Sequence, residues 1–210
     1  MGNLSNKLRK NIINKIVIKL KKKKEIKSLT FVGSFIDKKN YDKINDIDLV
    51  VVTKRLNKKI FNSYKNIISK INPDKLGINR NKLKINSSFG PLKFNNFKNE
   101  IVIHLMIYDV EGHIDHVLKS PFTVFDWERS KHHKIGRLKD IFPTGTLQLR
   151  DFVESRRGIE NYLNDLFNKR ISYREYGFSG KAYFTKKLNQ DLIDRDKFEY
   201  IYHIVKNLIL

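Results

Sequence analysis

Residues 28–52 read S-L-T-F-V-G-S-F-I-D-K-K-N-Y-D-K-I-N-D-I-D-L-V-V-V, and this stretch decides the fold. A short apolar run, Leu29 to Val32, ends in Gly33-Ser34. A polar connection rich in Lys and Asn leads to Asp46-Ile47-Asp48, and the unbroken apolar run Leu49 to Val52 follows. Both runs are short, β-branched or aromatic, which favours strands over helices. Alternation along a strand puts Asp46 and Asp48 on one side and Ile47 on the other. Two carboxylates side by side at the mouth of a buried strand repel each other. A divalent cation between them resolves the conflict, because hard cations such as Mg²⁺ take carboxylate oxygens.

A strand, Gly33-Ser34, a connection and Asp46-x-Asp48 opening a second strand resemble the signature of the nucleotidyltransferase superfamily, which shares a core with DNA polymerase beta. The resemblance covers the first half of the chain. It implies an α+β fold, a mixed sheet flanked by helices. It also implies an NTP, with ATP expected, whose triphosphate is held by Gly33 and Ser34, and Mg²⁺ or Mn²⁺ held by Asp46 and Asp48. Lys43, with Lys38 and Lys39, is a candidate to assist the triphosphate, though each also reads as a solvated surface lysine. The competing structural reading is that Gly33 merely ends a strand and the two aspartates cap a strand start at the surface.

Outward from this stretch, residues 4–27 are expected to form a helix, with Leu8, Ile12, Ile16 and Leu20 at four-residue spacing and Lys21 to Lys24 at its end. A second helix is expected over 58–72, closed by Pro73, with Ile60, Phe61, Tyr64, Ile67, Ile68 and Ile71 on one side. Residues 82–85 suggest a short strand, and Ile101 to Tyr108 a clear one. In the family the latter strand runs beside the Asp-x-Asp strand and usually carries a third carboxylate. Here the corresponding position is His104. Glu100 and Asp109 only bracket the strand. An imidazole can ligate a metal or accept a proton from an attacking hydroxyl, so His104 joins Asp46 and Asp48 as a candidate catalytic residue. The change leaves two outcomes open: an active enzyme using two carboxylates and a histidine, or a pseudoenzyme that only binds.

Residues 110–145 read as irregular. His113-Ile114-Asp115-His116 contains ligand types but lacks a helix pattern or cysteines to make a zinc site. Trp127 reads as a packing anchor or a base-stacking surface. The last third reads as helical: residues 147–167 as one or two helices interrupted near Gly158, 171–180 as an aromatic-rich turn, then helices over 181–188 and 191–210. The division expected is a catalytic core, 1–115, followed by a mainly helical C-terminal bundle, 116–210.

The sequence has 210 residues, of which 40% are hydrophobic and 11% aromatic, which suits a globular chain. It has no cysteine, which excludes disulfides and thiolate metal sites and fits a cytoplasmic protein. No apolar run approaches the roughly 20 residues that span a bilayer, so no membrane insertion is expected. Forty-three Lys and Arg against twenty-two Asp and Glu give a net charge of +21. An AT-rich genome enriches Lys and Asn, but codon bias alone should raise Asp as well. The imbalance therefore favours a polyanionic partner such as RNA, and argues against a cationic substrate. The expected activity is metal-dependent transfer of a nucleoside monophosphate to an acceptor hydroxyl, on RNA or another polyanion. A non-catalytic nucleotide- or RNA-binding protein and a small-molecule-modifying transferase are the alternatives.

Overall fold

The two apolar runs of the 28–52 stretch form adjacent strands in a computed structural model of the chain, which describes residues 6–33, 36, 46–72, 83–88, 101–179, 181–189 and 192–209. Strand β1 (Ile26–Val32) pairs antiparallel with β2 (Asp46–Thr53), bringing Phe31 opposite Leu49 and Val32 opposite Asp48. Strand β4 (Ile101–Asp109) lies parallel to β2 on its other side, and β3 (Leu83–Asn86) lies parallel to β4. A three-residue strand, β5 (His133–Ile135), pairs antiparallel with β1. The sheet is therefore mixed, in the order β3-β4-β2-β1-β5.

The V-V-V run is apolar on both faces because the sheet is covered on both faces. One face, carrying Leu29, Phe31, Ile47, Leu49, Val51, Ile103, Leu105 and Ile107, packs on helices α1 (Asn6–Leu20) and α2 (Lys58–Ser69). The other, carrying Val32, Val50, Val52, Met106 and Tyr108, packs on α3 (Val110–Lys119) and α4 (Pro121–Glu128) through Val117, Val124 and Trp127. Each fully buried aliphatic side chain contributes about 1.5–3 kcal/mol relative to exposure. Helix α2 starts where Asn57 caps it, its Oδ1 accepting from Ile60 N at 2.9 Å.

Helix α1 is shorter than the 4–27 span expected. Lys21 to Lys24 lie beyond its last turn, and Ile26 is already in β1. Burial of Ile26, Leu29 and Phe31 in the sheet overrides the helical spacing there. Residues 110–128 are helical, not irregular. Asp109 ends β4 and caps α3, accepting from Gly112 N at 2.8 Å. The remaining elements are a 3-10 turn (Leu138–Asp140), α5 (Leu149–Phe167), β6 (Ile171–Ser179), β7 (Lys181–Asn189) and α6 (Asp194–Ile209). Helix α5 runs through Gly158 without a break.

The largest correction falls on 171–189. The expected aromatic turn and following helix are instead an antiparallel hairpin, Tyr176 opposite Phe184 and Gly177 opposite Tyr183. Tyr183 lies over Gly177, where a Cβ would come within 2.4 Å of the ring and displace it. The hairpin answers a problem set by the sheet. Among the described residues, strand β3 pairs with β4 only as far as His104, and no strand pairs with the rest of that edge. The Tyr176 hydroxyl fills the gap, accepting from Ile107 N at 2.6 Å and donating to Ile107 O at 2.7 Å. Around it Tyr176 packs on Phe61, with ring centroids 4.4 Å apart, and on Phe184 at 5.1 Å. A buried polar cluster ties the hairpin to the helices: Tyr200 Oη donates to Asp165 Oδ2 at 2.9 Å and accepts from Ser172 N at 2.8 Å, while Ser172 Oγ also bonds Asp165.

The C-terminal region is thus helices plus a hairpin rather than a purely helical bundle. The expected boundary between 115 and 116 falls inside α3, and β5 returns to the N-terminal sheet. Among the described residues, no helix is long and apolar enough to cross a membrane.

Candidate functional site

Strand register sets the site before any side chain is considered. Val32, Asp48, His104 and Asn86 form one row across β1, β2, β4 and β3. Chain alternation then puts the Asp48 and His104 side chains on the face of Val32, Val50 and Met106, while Ile47 is fully buried in the opposite core. Asp48 and His104 remain about one-fifth exposed.

Gly33 follows β1 directly, at φ +74°. A Cβ at this position would lie 2.3 Å from Asp48 Oδ2, so the bend passes against the carboxylate at a distance only glycine permits. Ile36 N donates to Gly33 O at 3.1 Å, closing the bend, and Ile36 is buried. Ser34, Lys38, Lys39, Lys43, Glu100 and the side chain of Asp46 lie outside the described residues. Asp46 itself is the first residue of β2, opposite Val102.

His104 is held from both ends. Its Nδ1 is 3.2 Å from Asp48 Oδ1, and its Nε2 is 2.6 Å from the carbonyl oxygen of Ser88. A carbonyl only accepts, so Nε2 carries a proton. Ser88 is fixed in turn: its N and Oγ both donate to Asn86 Oδ1, at 2.9 and 2.6 Å, and Asn86 is buried. Asp109, the other acid near this strand, is committed to capping α3.

This row opens into a cleft of about 760 Å³ between the sheet and helices α3 to α6, within the range of small-ligand sites. Lys119, Arg129, Arg174 and Lys206 supply positive charge along its walls, and Trp127, Tyr162 and Tyr202 supply aromatic surface. Asp126, Glu154 and Glu199 line it too, and Lys206 pairs with Asp126. At its floor His116 lies between Tyr108 and Trp127, each ring centroid 5.1 Å away. Burial lowers the His116 pKa to about 3, with the charge of Arg174 adding to the effect, and its Nε2 has no hydrogen-bond partner. Burial also pushes the Tyr108 and Tyr162 hydroxyls up, and Arg174 pulls both back.

No protein-family model, curated protein or solved structure matches this chain. Geometry alone must therefore carry the assignment.

Among the described residues, no group of three or more His, Asp or Glu side chains is placed to hold a metal. Asp48 and His104 nevertheless form a two-donor set that fits a divalent cation, one carboxylate oxygen and one ring nitrogen 3.2 Å apart beside a bend that carries no Cβ. The sequence HIDH is no metal cluster: His113 is fully buried, while Asp115 is exposed and pairs with Lys119 at 2.8 Å. Trp127 is 9% exposed and packs in the second core, so its larger role is packing. Arg150, Arg156 and Arg157 project from exposed positions on α5 and do not line the cleft; Arg157 pairs with Glu154 at 2.8 Å. Arg174 escaped sequence reasoning because its segment was read as a turn. The dense Ile, Tyr, Phe and Thr content of 171–185 was the strand signal that marked it.

Proposed function

We propose that the chain is a metal-dependent nucleotidyltransferase, moving a nucleoside monophosphate from an NTP to an acceptor hydroxyl. The observation that carries this reading is the contact between the Gly33 bend and the Asp48 carboxylate, at the mouth of a cleft with basic and aromatic walls. Backbone N–H groups of Gly33 and Ser34 would receive the triphosphate, with the Ser34 hydroxyl and Lys43 as further contacts. Asp46, Asp48 and His104 would hold Mg²⁺ or Mn²⁺, which when bound supplies charge neutralisation for the reacting phosphates. The acceptor oxygen forms a bond to the α-phosphorus as the bond to the bridging oxygen breaks. Pyrophosphate departs, and the hydroxyl proton passes to the Asp48 carboxylate. The protein's work is positioning, aided by the water-poor cleft floor around His116 and Trp127. The net charge of +21 makes a polyanion such as RNA the favoured acceptor.

The test is labelled NTP with a divalent ion and total RNA or a metabolite extract. Asp48→Asn should cut nucleotide transfer by at least about a thousandfold while leaving thermal unfolding near wild type. Transfer by Asp48→Asn at the wild-type rate would refute the mechanism. The Asp48–His104 contact also favours a second reading, a non-catalytic nucleotide-binding protein in which an imidazolium replaces the metal. That protein would bind NTP without a divalent ion and release no pyrophosphate.

A further inference from the structure

We propose that the Asp48–His104 pair selects a transition-metal ion, with Mn²⁺ as its probe, over Mg²⁺. The inference rests on the reading that Asp48 receives a divalent cation, and it concerns which cation the site prefers.

Three features of His104 carry it. The first is donor chemistry. Mg²⁺ favours oxygen ligands in octahedral geometry and keeps its waters, whereas imidazole suits Fe, Ni, Cu and Zn; Mn²⁺, lowest of the first-row series, is the strictest probe of that preference. A histidine at the centre of this row penalises Mg²⁺ relative to the others.

The second is spacing. Two ligands on an ion with bonds of about 2.1 Å lie about 3.0 Å apart at a right angle and about 3.4 Å apart at the tetrahedral angle. The Nδ1 to Oδ1 separation of 3.2 Å falls between these values. That spacing matches two ligands of one ion, and the close approach of the Gly33 bend to the other carboxylate oxygen, Oδ2, holds the carboxylate in place beside His104.

The third is ring orientation. Donation from Nε2 to Ser88 O places a proton on Nε2 and leaves Nδ1 as the ring atom facing Asp48 Oδ1, where a cation would take the place of the shared proton. Ligating histidines are held in this way, the distal N–H given to a backbone carbonyl or carboxylate that sets the tautomer. Here the carbonyl is braced by Asn86, a buried strand-end residue that accepts both Ser88 N–H and Ser88 Oγ–H. A histidine that only packed beside the acid would not need this brace.

The experiment uses the full chain without nucleotide. Mn²⁺ binding is followed by electron paramagnetic resonance and Mg²⁺ binding by calorimetry, for wild type, His104→Asn and His104→Asp, with thermal melting to show that each variant folds. Wild type should bind Mn²⁺ at least about tenfold more tightly than Mg²⁺. Pulsed resonance should show ¹⁴N coupling from the imidazole. His104→Asn, which keeps an amide beside Asp48 but no ring nitrogen, should lose that coupling and most of the preference. His104→Asp, with an all-oxygen set, should bring the ratio to within about threefold of unity. Equal affinities in the wild type, or a preference unchanged in both variants, overturn the proposal while leaving a metal-dependent site in place. Binding of neither ion overturns the metal-dependent reading with it.

Discussion

Gly33→Ala tests the bend and the acid together. At φ +74° an alanine costs about 1–2 kcal/mol for backbone conformation alone. Its Cβ would also lie 2.3 Å from Asp48 Oδ2, against ordinary contacts of about 3.5 Å, so the carboxylate must retreat by about 1 Å. That movement stretches the 3.2 Å contact to His104 beyond hydrogen-bond range, at a further cost of about 1 kcal/mol for a partly exposed pair. The sum, about 2–3 kcal/mol, corresponds to a melting-temperature fall of about 5–10 °C in a chain of this size. Gly145 supplies the control. Its φ is +66°, but a Cβ there meets nothing within 4 Å, so Gly145→Ala should cost only the backbone share. Denaturant unfolding of the two variants separates conformational strain from collision. Nucleotide transfer should fall about a hundredfold in Gly33→Ala, because misplacing a catalytic group by 1 Å has that order of effect, and should be unchanged in Gly145→Ala. If Gly33→Ala unfolds with Gly145→Ala and transfers nucleotide normally, the bend is not gripping the carboxylate and the site reasoning fails.

Tyr176→Phe keeps the aromatic packing but orphans both Ile107 N–H and Ile107 C=O, and should cost about 2–4 kcal/mol in denaturant unfolding. A loss below about 0.5 kcal/mol would mean that water replaces the hydroxyl at that edge. Burial holds His116 and His113 neutral, at pKa values lowered to about 3 and about 4, so below pH 6.5 the unfolded chain binds protons that the folded chain refuses. Their contribution is present above pH 6.5 and lost as pH falls toward those folded values, about 1 kcal/mol per histidine between pH 7 and 5.5. His116→Phe should remove one histidine's share of that slope in urea titrations at the two pH values, and an unchanged slope would show that His116 is not the titrating group.

How much of this was legible from sequence depended on whether a residue's environment was local. The 28–52 stretch announced two strands and a sharp bend because its apolar runs, its glycine and its alternation all act within a few residues. The pairing of β2 with β4, and the place of His104 beside Asp48, came from the resemblance rather than from the residues themselves, and the register agrees with both. The hairpin at 171–189 was not legible. Its aromatics serve a remote need, the edge beyond His104, and Tyr176 earns its hydroxyl only once Ile107 is seen, among the described residues, without a partner strand. Helix α3 was hidden for a similar reason: its inward face carries His113 and Val117, and a buried neutral histidine does not look apolar in a sequence.

On the proposed reading, a histidine at 104, where the resembled family has an acid, changes the charge that the cleft would balance. In the proposed enzyme one divalent cation would neutralise the charges of Asp46 and Asp48, whereas a third carboxylate would leave a surplus repelling the triphosphate. The remaining negative charge of the proposed NTP would then be met by the walls. Lys206 is engaged by Asp126 and Lys119 by Asp115, which moderates both. Arg174 projects from the hairpin with a charge felt at Tyr108, His116 and Tyr162, three cleft-lining residues on separate elements. A field that reaches all three also reaches an anion bound among them, less screened there than at the open surface. The hairpin thus combines two roles, closing the sheet edge with Tyr176 and, two residues earlier on the same face of the strand, placing Arg174 on the cleft wall, where it would meet the proposed anion.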